Sequence, residues 1–155
     1  MFDDLRKAAM MNNERNCLFC RILAGELNAS FVYRDESCSA FMDIQPINPG
    51  HLLVVPNRHA AFLSDLETEE GAQIFRAAHR LSAALRESGV QCAGVNLFLA
   101  DGAAAMQEVF HVHLHVFPRY DGDGFGLKFA SRYFQKPARK ELELIAGKIK
   151  SALVS

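Results

Sequence analysis

Three histidines stand at alternate positions in His111-Val112-His113-Leu114-His115-Val116-Phe117. Side chains on an extended strand alternate between faces. The spacing therefore predicts three imidazoles on one face, ~7 Å apart, with Val112, Leu114 and Val116 directed into a core on the other. A lone histidine suits a structural place in a core. Three in register each need partners for their ring nitrogens, which packing does not supply, so the run reads as functional. Imidazoles arranged this way can bind a metal or act as nucleophile and acid–base groups, and the run by itself leaves both open. A second signal is Cys17-Leu18-Phe19-Cys20. Two thiolates cannot complete a tetrahedral zinc site, so further ligands would have to come from the six histidines. A redox pair of the thioredoxin kind follows a strand and opens a long helix in a βαβ unit, a pattern missing here. A pair of unligated thiols is the remaining alternative.

The elements that must hold these groups follow from local pattern. Leu18–Ala24 reads as a short helical turn ending near Gly25. Phe31–Arg34 and Ser37–Met42 are β-prone runs joined by a tight turn at Asp35-Glu36. Pro46, Asn48, Pro49 and Gly50 cluster as a loop, and His51–Pro56 follows as a strand of branched apolar residues. Thr68-Glu69-Glu70 predicts a helix start, with a capping hydroxyl followed by acids where the dipole favours them. Ile74, Ala78, Leu81 and Leu85 recur at helical spacing, and Gly89 is a natural stop. Val95–Leu99 and Phe110–Phe117 complete the strands, and a last helix is expected from about Ala138 to Leu153, with Leu142, Ile145, Ile149 and Leu153 on one side. The expected fold is α+β: a five-stranded antiparallel sheet with two main helices. Residues 1–16 read as an N-terminal extension and 17–155 as a single domain.

Composition limits the partners. At 155 residues the chain suits one core. The formal net charge of −1 gives no reason to expect nucleic acid or a membrane surface held by long-range electrostatics, so any bound phosphate must be held locally. No apolar run approaches the ~20 residues of a membrane span, and Met1–Asn16 lacks the hydrophobic core of a secretory signal. A cytoplasmic location is expected, where the four cysteines would be reduced. Cys38 and Cys92 read as small buried hydrophobes, and His79 as a surface or packing residue. Arg119 suits a phosphate tail or an ion pair equally.

His-x-His-x-His followed by two apolar residues resembles the signature of the histidine triad family of nucleotide hydrolases and transferases. The surroundings agree. Ala40-Phe41-Met42-Asp43-Ile44-Gln45-Pro46 and Asn48-Pro49-Gly50-His51-Leu52-Leu53-Val54-Val55-Pro56 resemble its nucleoside-binding hairpin and the strand after it. Gln107-Glu108-Val109-Phe110 resembles the approach to the triad. Pro118-Arg119-Tyr120 and Gly122-Asp123-Gly124 resemble the bacterial continuation. The likeness spans roughly Cys17 to Gly126.

The resemblance implies roles. His113 would be the nucleophile, passing through a covalent nucleotidyl-histidine. His115 and His51 would position the phosphate, and Asp43 would hold the ribose hydroxyls. Leu18, Phe19, Ile22, Phe41 and Ile44 would wall the base pocket, although Leu18, Ile22 and Ile44 also suit plain core and Asp43 a turn cap. Gln107 would offer a backbone donor to the phosphate. Relatives with the N-terminal cysteine pair bind zinc, which here implies Cys17, Cys20, His59 and His111 as ligands of a structural ion. The implied substrates are dinucleoside polyphosphates, nucleoside phosphoramidates or adenylates, purine nucleotides among them. The implied assembly is a homodimer, with the helix Thr68–Ser88 and strand Val95–Leu99 at the interface and Leu97 and Leu99 buried there. Two positions depart from the family. Ala100 replaces a substrate-contacting amide, and Met106 replaces a small residue, which keeps a nucleotide-binding protein with little turnover in play. A purely structural zinc protein is the third alternative; Asp43 and the Pro49-Gly50-His51 segment speak against it.

Overall fold

The computed structural model describes residues 15–153. Most of the expected N-terminal extension, residues 1–14, lies outside the described residues. The remainder falls into two compact units divided between Asp123 and Gly124.

The first unit is built on five strands: β1 (Phe31–Arg34), β2 (Cys38–Met42), β3 (Leu52–Pro56), β4 (Gly94–Leu99) and β5 (Leu114–Arg119). Their order across the sheet is β1-β2-β3-β5-β4, and every neighbouring pair is antiparallel. The order places β5 inside the sheet and leaves β4 at its edge. Helix α1 (Leu18–Leu23) precedes the sheet and α2 (Thr68–Glu87) joins β3 to β4.

Alternation along the strands sorts the core into two layers. On one face, α2 presents Ile74, Ala77, Ala78, Leu81 and Leu85 to Cys38, Ala40, Leu52, Val54, Val112, Leu114 and Val116. On the other, Cys17 and Phe19 pack on Phe41, Leu53 and Val55. Cys38 is a small core residue as expected, and burial, reinforced by Asp35, pushes its thiol pKa up to about 12. His79 is exposed on α2.

Several boundaries differ from expectation, and three of them have a visible cause. The histidine run was expected to be strand from Phe110, yet β5 begins at Leu114. The reason lies in the partners: Val112 donates its N–H to Ala60 O at 2.7 Å, in the loop after β3 rather than in a strand, and the His111 N–H turns back to Val109 O at 2.9 Å. The start of α2 is not capped by the Thr68 hydroxyl. Glu67 is the N-cap, its N–H donating to the Glu70 carboxylate at 2.9 Å, and Arg58 grips that carboxylate through Nε at 2.9 Å and a second nitrogen at 2.5 Å. β3 begins at Leu52 rather than His51. Just before it, Gly50 adopts φ +100°, and a Cβ there would come within 3.0 Å of Val90 and 3.2 Å of both Leu85 and Pro118. Only glycine suits both the conformation and the space.

The second unit holds a 3₁₀ turn at Ser131–Phe134 and helix α3 (Arg139–Leu153). Phe129 and Tyr133 stack at 4.0 Å between ring centroids. Leu142, Ile145, Ile149 and Leu153 of α3 are exposed.

Candidate functional site

The fold brings five histidines into one neighbourhood, and hydrogen-bond partners fix how four of the imidazoles carry their protons. His113 Nδ1 lies 2.7 Å from the carbonyl oxygen of His111. A carbonyl only accepts, so Nδ1 donates and the lone pair is left on Nε2. His111 is arranged the other way round. Its Nε2 donates to Pro56 O at 2.9 Å, which leaves the lone pair on Nδ1. In His51, Nδ1 accepts the N–H of Ile47 at 3.1 Å, so Nε2 carries the proton and donates to His115 Nδ1 at 2.9 Å. His115 therefore keeps its own proton on Nε2.

These rings meet edge-on or tilted in a small aromatic assembly. His113 and His115 have centroids 4.9 Å apart, and Phe19 of α1 meets His113 edge-on at 5.2 Å and His111 at 5.8 Å. Burial disfavours the charged imidazolium. It lowers the pKa of His113 and of His51, and lowers His115 to about 4, where the facing His113 and His51 rings add to the effect. Asp43 opposes the shift at all three. Its carboxylate lies 3.5 Å from His51 Nδ1 and 4.0 Å from His115 Nδ1.

Asp43 also accepts the N–H of Gln45 at 2.8 Å, so it caps the turn as well as facing the imidazoles. Of the residues expected to wall a base pocket, Phe19 and Phe41 are buried against each other and Ile22 is half-buried beside them. Leu18 is exposed, and Ile44, beside Asp43, is 92% exposed. Neither of these two is core. Gln107 differs from expectation. Its N–H is bonded to Gly102 O at 3.2 Å rather than standing open. Its buried side chain accepts the Gly102 N–H at 2.7 Å and donates to Ala61 O at 2.7 Å and Val109 O at 3.2 Å. Gln107 thus ties together three segments that lead into the triad. Ala100 is only 2% exposed, so an amide at this position would sit inside the protein, whereas Met106 is 72% exposed and takes a left-handed φ of +70°.

A second cluster lies against the first. Cys17, Cys20, His59 and His111 offer four ligand atoms all within 4.8 Å of one another. Cys17 Sγ and Cys20 Sγ lie 3.4 and 3.5 Å from His111 Nδ1, and Cys20 Sγ lies 3.4 Å from His59 Nδ1. Zinc takes thiolate at ~2.3 Å and imidazole at ~2.0 Å in a tetrahedron, and the sulfur–nitrogen edge of such a tetrahedron is ~3.5 Å. The donor set, the separations and the lone pair left on His111 Nδ1 all fit such an ion. Asp43, His51 and His115 also come this close, but His51 Nε2 and His115 Nδ1 share a hydrogen bond, and that pair reads as a proton-holding relay.

One network escaped the sequence. Asn48, buried before β3, donates to Pro118 O and to Asp123 Oδ2, both at 2.9 Å. Arg119 grips the same carboxylate at 2.5 and 2.9 Å. Of the two readings of Arg119, the ion pair is the one formed. Asn48 and Asp123 each read as ordinary loop residues, and only the fold joins them.

Comparison with known proteins agrees with this architecture. The HIT domain model matches residues 24–122. Protein hit of Bacillus subtilis is 39% identical over 75% of this chain and 80% of its own length. A zinc-bound histidine triad family protein from Mycobacterium smegmatis superposes with a TM-score of 0.70 at 36% identity, covering 90% of this chain and 99% of that one. A histidine triad nucleotide-binding protein from Candida albicans gives 0.78 at 27% identity, covering 89% and 97%. A more distant relative, the adenylylsulfatase HINT3 of Arabidopsis thaliana, is 32% identical over 71% of this chain and 55% of its own. The chain belongs to the histidine triad family.

Proposed function

We propose that the chain is a nucleotidyl hydrolase or transferase that cleaves nucleoside 5′-phosphoryl bonds through a covalent intermediate on His113. The observation that carries this reading is the bond from His113 Nδ1 to the His111 carbonyl. It reserves the Nε2 lone pair for attack on phosphorus, and burial lowers the pKa of the ring, which favours its neutral form. Attack forms a P–N bond and breaks the bond from phosphorus to the leaving group, which takes a proton from solvent water as it departs. Water or another acceptor then displaces His113, so that one difficult displacement becomes two easier ones. His115 would donate Nε2–H to a phosphoryl oxygen, with His51 holding its other nitrogen. Asp43 would bind the ribose hydroxyls, and Leu18, Phe19, Ile22, Phe41 and Ile44 the base. The Gln107 N–H could reach phosphate only by exchanging its present bond to Gly102. Zinc at Cys17, Cys20, His59 and His111 would cross-link the start of α1 to the approach to β5, a structural contribution.

The reading extends to dinucleoside polyphosphates, phosphoramidates and adenylates as substrates, purine nucleotides as ligands, a homodimer, and a reducing cytoplasm in which the thiolates persist. Nucleic acid and membrane are not expected partners, and no helix of the described residues is long and apolar enough to cross a membrane. Support comes from the adenylylsulfatase and the nucleotide-binding relative. The buried Ala100 favours one alternative, a nucleotide-binding protein with little turnover.

Brief incubation with a fluorogenic AMP phosphoramidate, quenched without acid and followed by mass spectrometry, separates the two. An AMP adduct and turnover are expected in the wild type, and His113→Ala should lose both, with a rate loss of several orders of magnitude. Turnover by His113→Ala near the wild-type rate would refute the nucleophile, and binding with neither adduct nor turnover would favour the alternative.

A further inference from the structure

The ladder registers line up one row of residues across the whole sheet. Phe31 stands opposite Phe41, Phe41 opposite Leu53, Leu53 opposite His115, and His115 opposite Phe98. Directly opposed residues share a face, so all five lie on the face that carries His115. On the β1–β3 side of His115 the row is apolar and closed: Phe41 and Leu53 are buried, and Phe19 packs on Phe41 at 5.6 Å. Asp43 and His51 flank His115 on that side too. On the other side the row ends at Phe98, on the edge strand. Its ring centroid is 5.9 Å from that of His115 with an interplanar angle of 49°, and the residue is 38% exposed.

We propose that Phe98 is a specificity-determining residue that receives a planar leaving group joined directly to the attacked phosphorus. The inference rests on the function proposed above, in which His115 meets the phosphoryl group. If Asp43 and the α1 side hold the nucleoside, the departing group must lie on the opposite flank of His115, and the sheet order makes that flank β4. The side chain β4 offers beside His115 on that face is an exposed aromatic ring. It lacks a charge or hydrogen-bonding group to hold a polyphosphate, and it presents a π face to a flat ring. Its closeness to His115 suits an aromatic amine or other aryl group bonded to the phosphorus. The second base of a dinucleoside polyphosphate would be carried past it by the intervening phosphates.

The test compares three substrates that share the adenylyl half: an AMP aryl-phosphoramidate, adenosine 5′-phosphoramidate with ammonia as the leaving group, and diadenosine tetraphosphate. Base–aromatic stacking is a reasonable guide to magnitude. Phe98→Ala should lower the ratio of kcat/KM for the aryl substrate over the ammonia substrate about tenfold, chiefly through KM. Phe98→Trp should hold or raise the ratio, and Phe98→Leu, which keeps apolar bulk without a π face, should fall between. Diadenosine tetraphosphate should lose less than the aryl substrate. An unchanged ratio in Phe98→Ala overturns the proposal, as does an equal or greater loss with diadenosine tetraphosphate. A ratio that falls only in variants whose mass in solution also falls overturns it as well, since assembly then explains the effect. If the wild type turns over none of the three, the proposed function fails. The Phe98 proposal is then decided by binding: the wild type should prefer the phenyl ester of AMP over AMP, and Phe98→Ala should lose that preference. Equal preference in both proteins would refute it.

Discussion

Burial sets the charge of the imidazoles that face Asp43, and with it a dependence of stability on pH. The pKa of His115 falls from 6.5 to about 4 on folding, through burial first and the His113 and His51 rings second, against the pull of Asp43. A histidine held neutral by the fold contributes stability that is complete above the unfolded pKa, near 6.5, and drains away as pH falls towards the folded value near 4. The melting temperature should therefore decline with acidification through that window. His111 shifts over the same range, so the wild-type curve alone cannot be apportioned. His115→Phe removes one titrating group, and its curve should be flatter than the wild type between pH 6.5 and 4.5. Parallel curves would show that His115 contributes nothing to acid sensitivity. The side chains behind this prediction are legible in the sequence as an alternating run. Their tautomers are not, because they depend on the carbonyls of His111 and Pro56 and the N–H of Ile47, which no spacing reveals.

Strands and helices were readable wherever hydrophobic period decides them. The β-prone run at Phe31–Arg34, the branched apolar run at His51–Pro56 and the helical spacing from Ile74 to Leu85 all correspond to observed elements. Limits set by tertiary partners were not readable: β5 starts at Leu114 because Val112 is bonded to Ala60, and α2 starts behind Glu67 because Glu70 and Arg58 close that end. The short helix α1 has the least of its own to hold it. It spans six residues, too few to be stable alone, and it depends on Phe19 and on the two cysteines that meet His59 and His111. Purified without chelators, the protein should carry close to one zinc per chain. Cys20→Ser should reduce zinc content and lower the melting temperature by on the order of 10 °C, while adduct formation at His113 falls less than stability does. Elemental analysis finding no zinc in the wild type would end this account of α1. So would a Cys20→Ser protein that melts with the wild type.

Edge strand β4 raises the question of assembly. A strand at the edge of a sheet presents unpaired N–H and C=O groups, and proteins usually shield such an edge with charge, proline, a bulge or a covering element. Strand β4 reads Gly-Val-Asn-Leu-Phe-Leu, without charge or proline, and Leu97 is exposed. On α2, Phe75 is exposed as well. An uncharged apolar edge of this kind is suited to pairing with the same strand of a second copy about a two-fold axis, which satisfies both edges at once and is the commonest closed symmetry. The family resemblance implies Leu97 at such an interface, and Leu97 is exposed in the single chain. Leu99 is different: it already packs against the α2-side core, so it has less surface left to lose on assembly. Light scattering at micromolar concentration should return twice the mass of one chain. Leu97→Lys adds a charge to each of two edges that would otherwise meet, and should shift the protein towards monomer without unfolding it, since Leu97 is outside the buried core. Circular dichroism and zinc content should stay at wild-type levels in the variant while its mass halves. A wild type that runs as a monomer, or a Leu97→Lys variant that stays dimeric, would remove β4 from the interface and leave its bare edge to be explained another way.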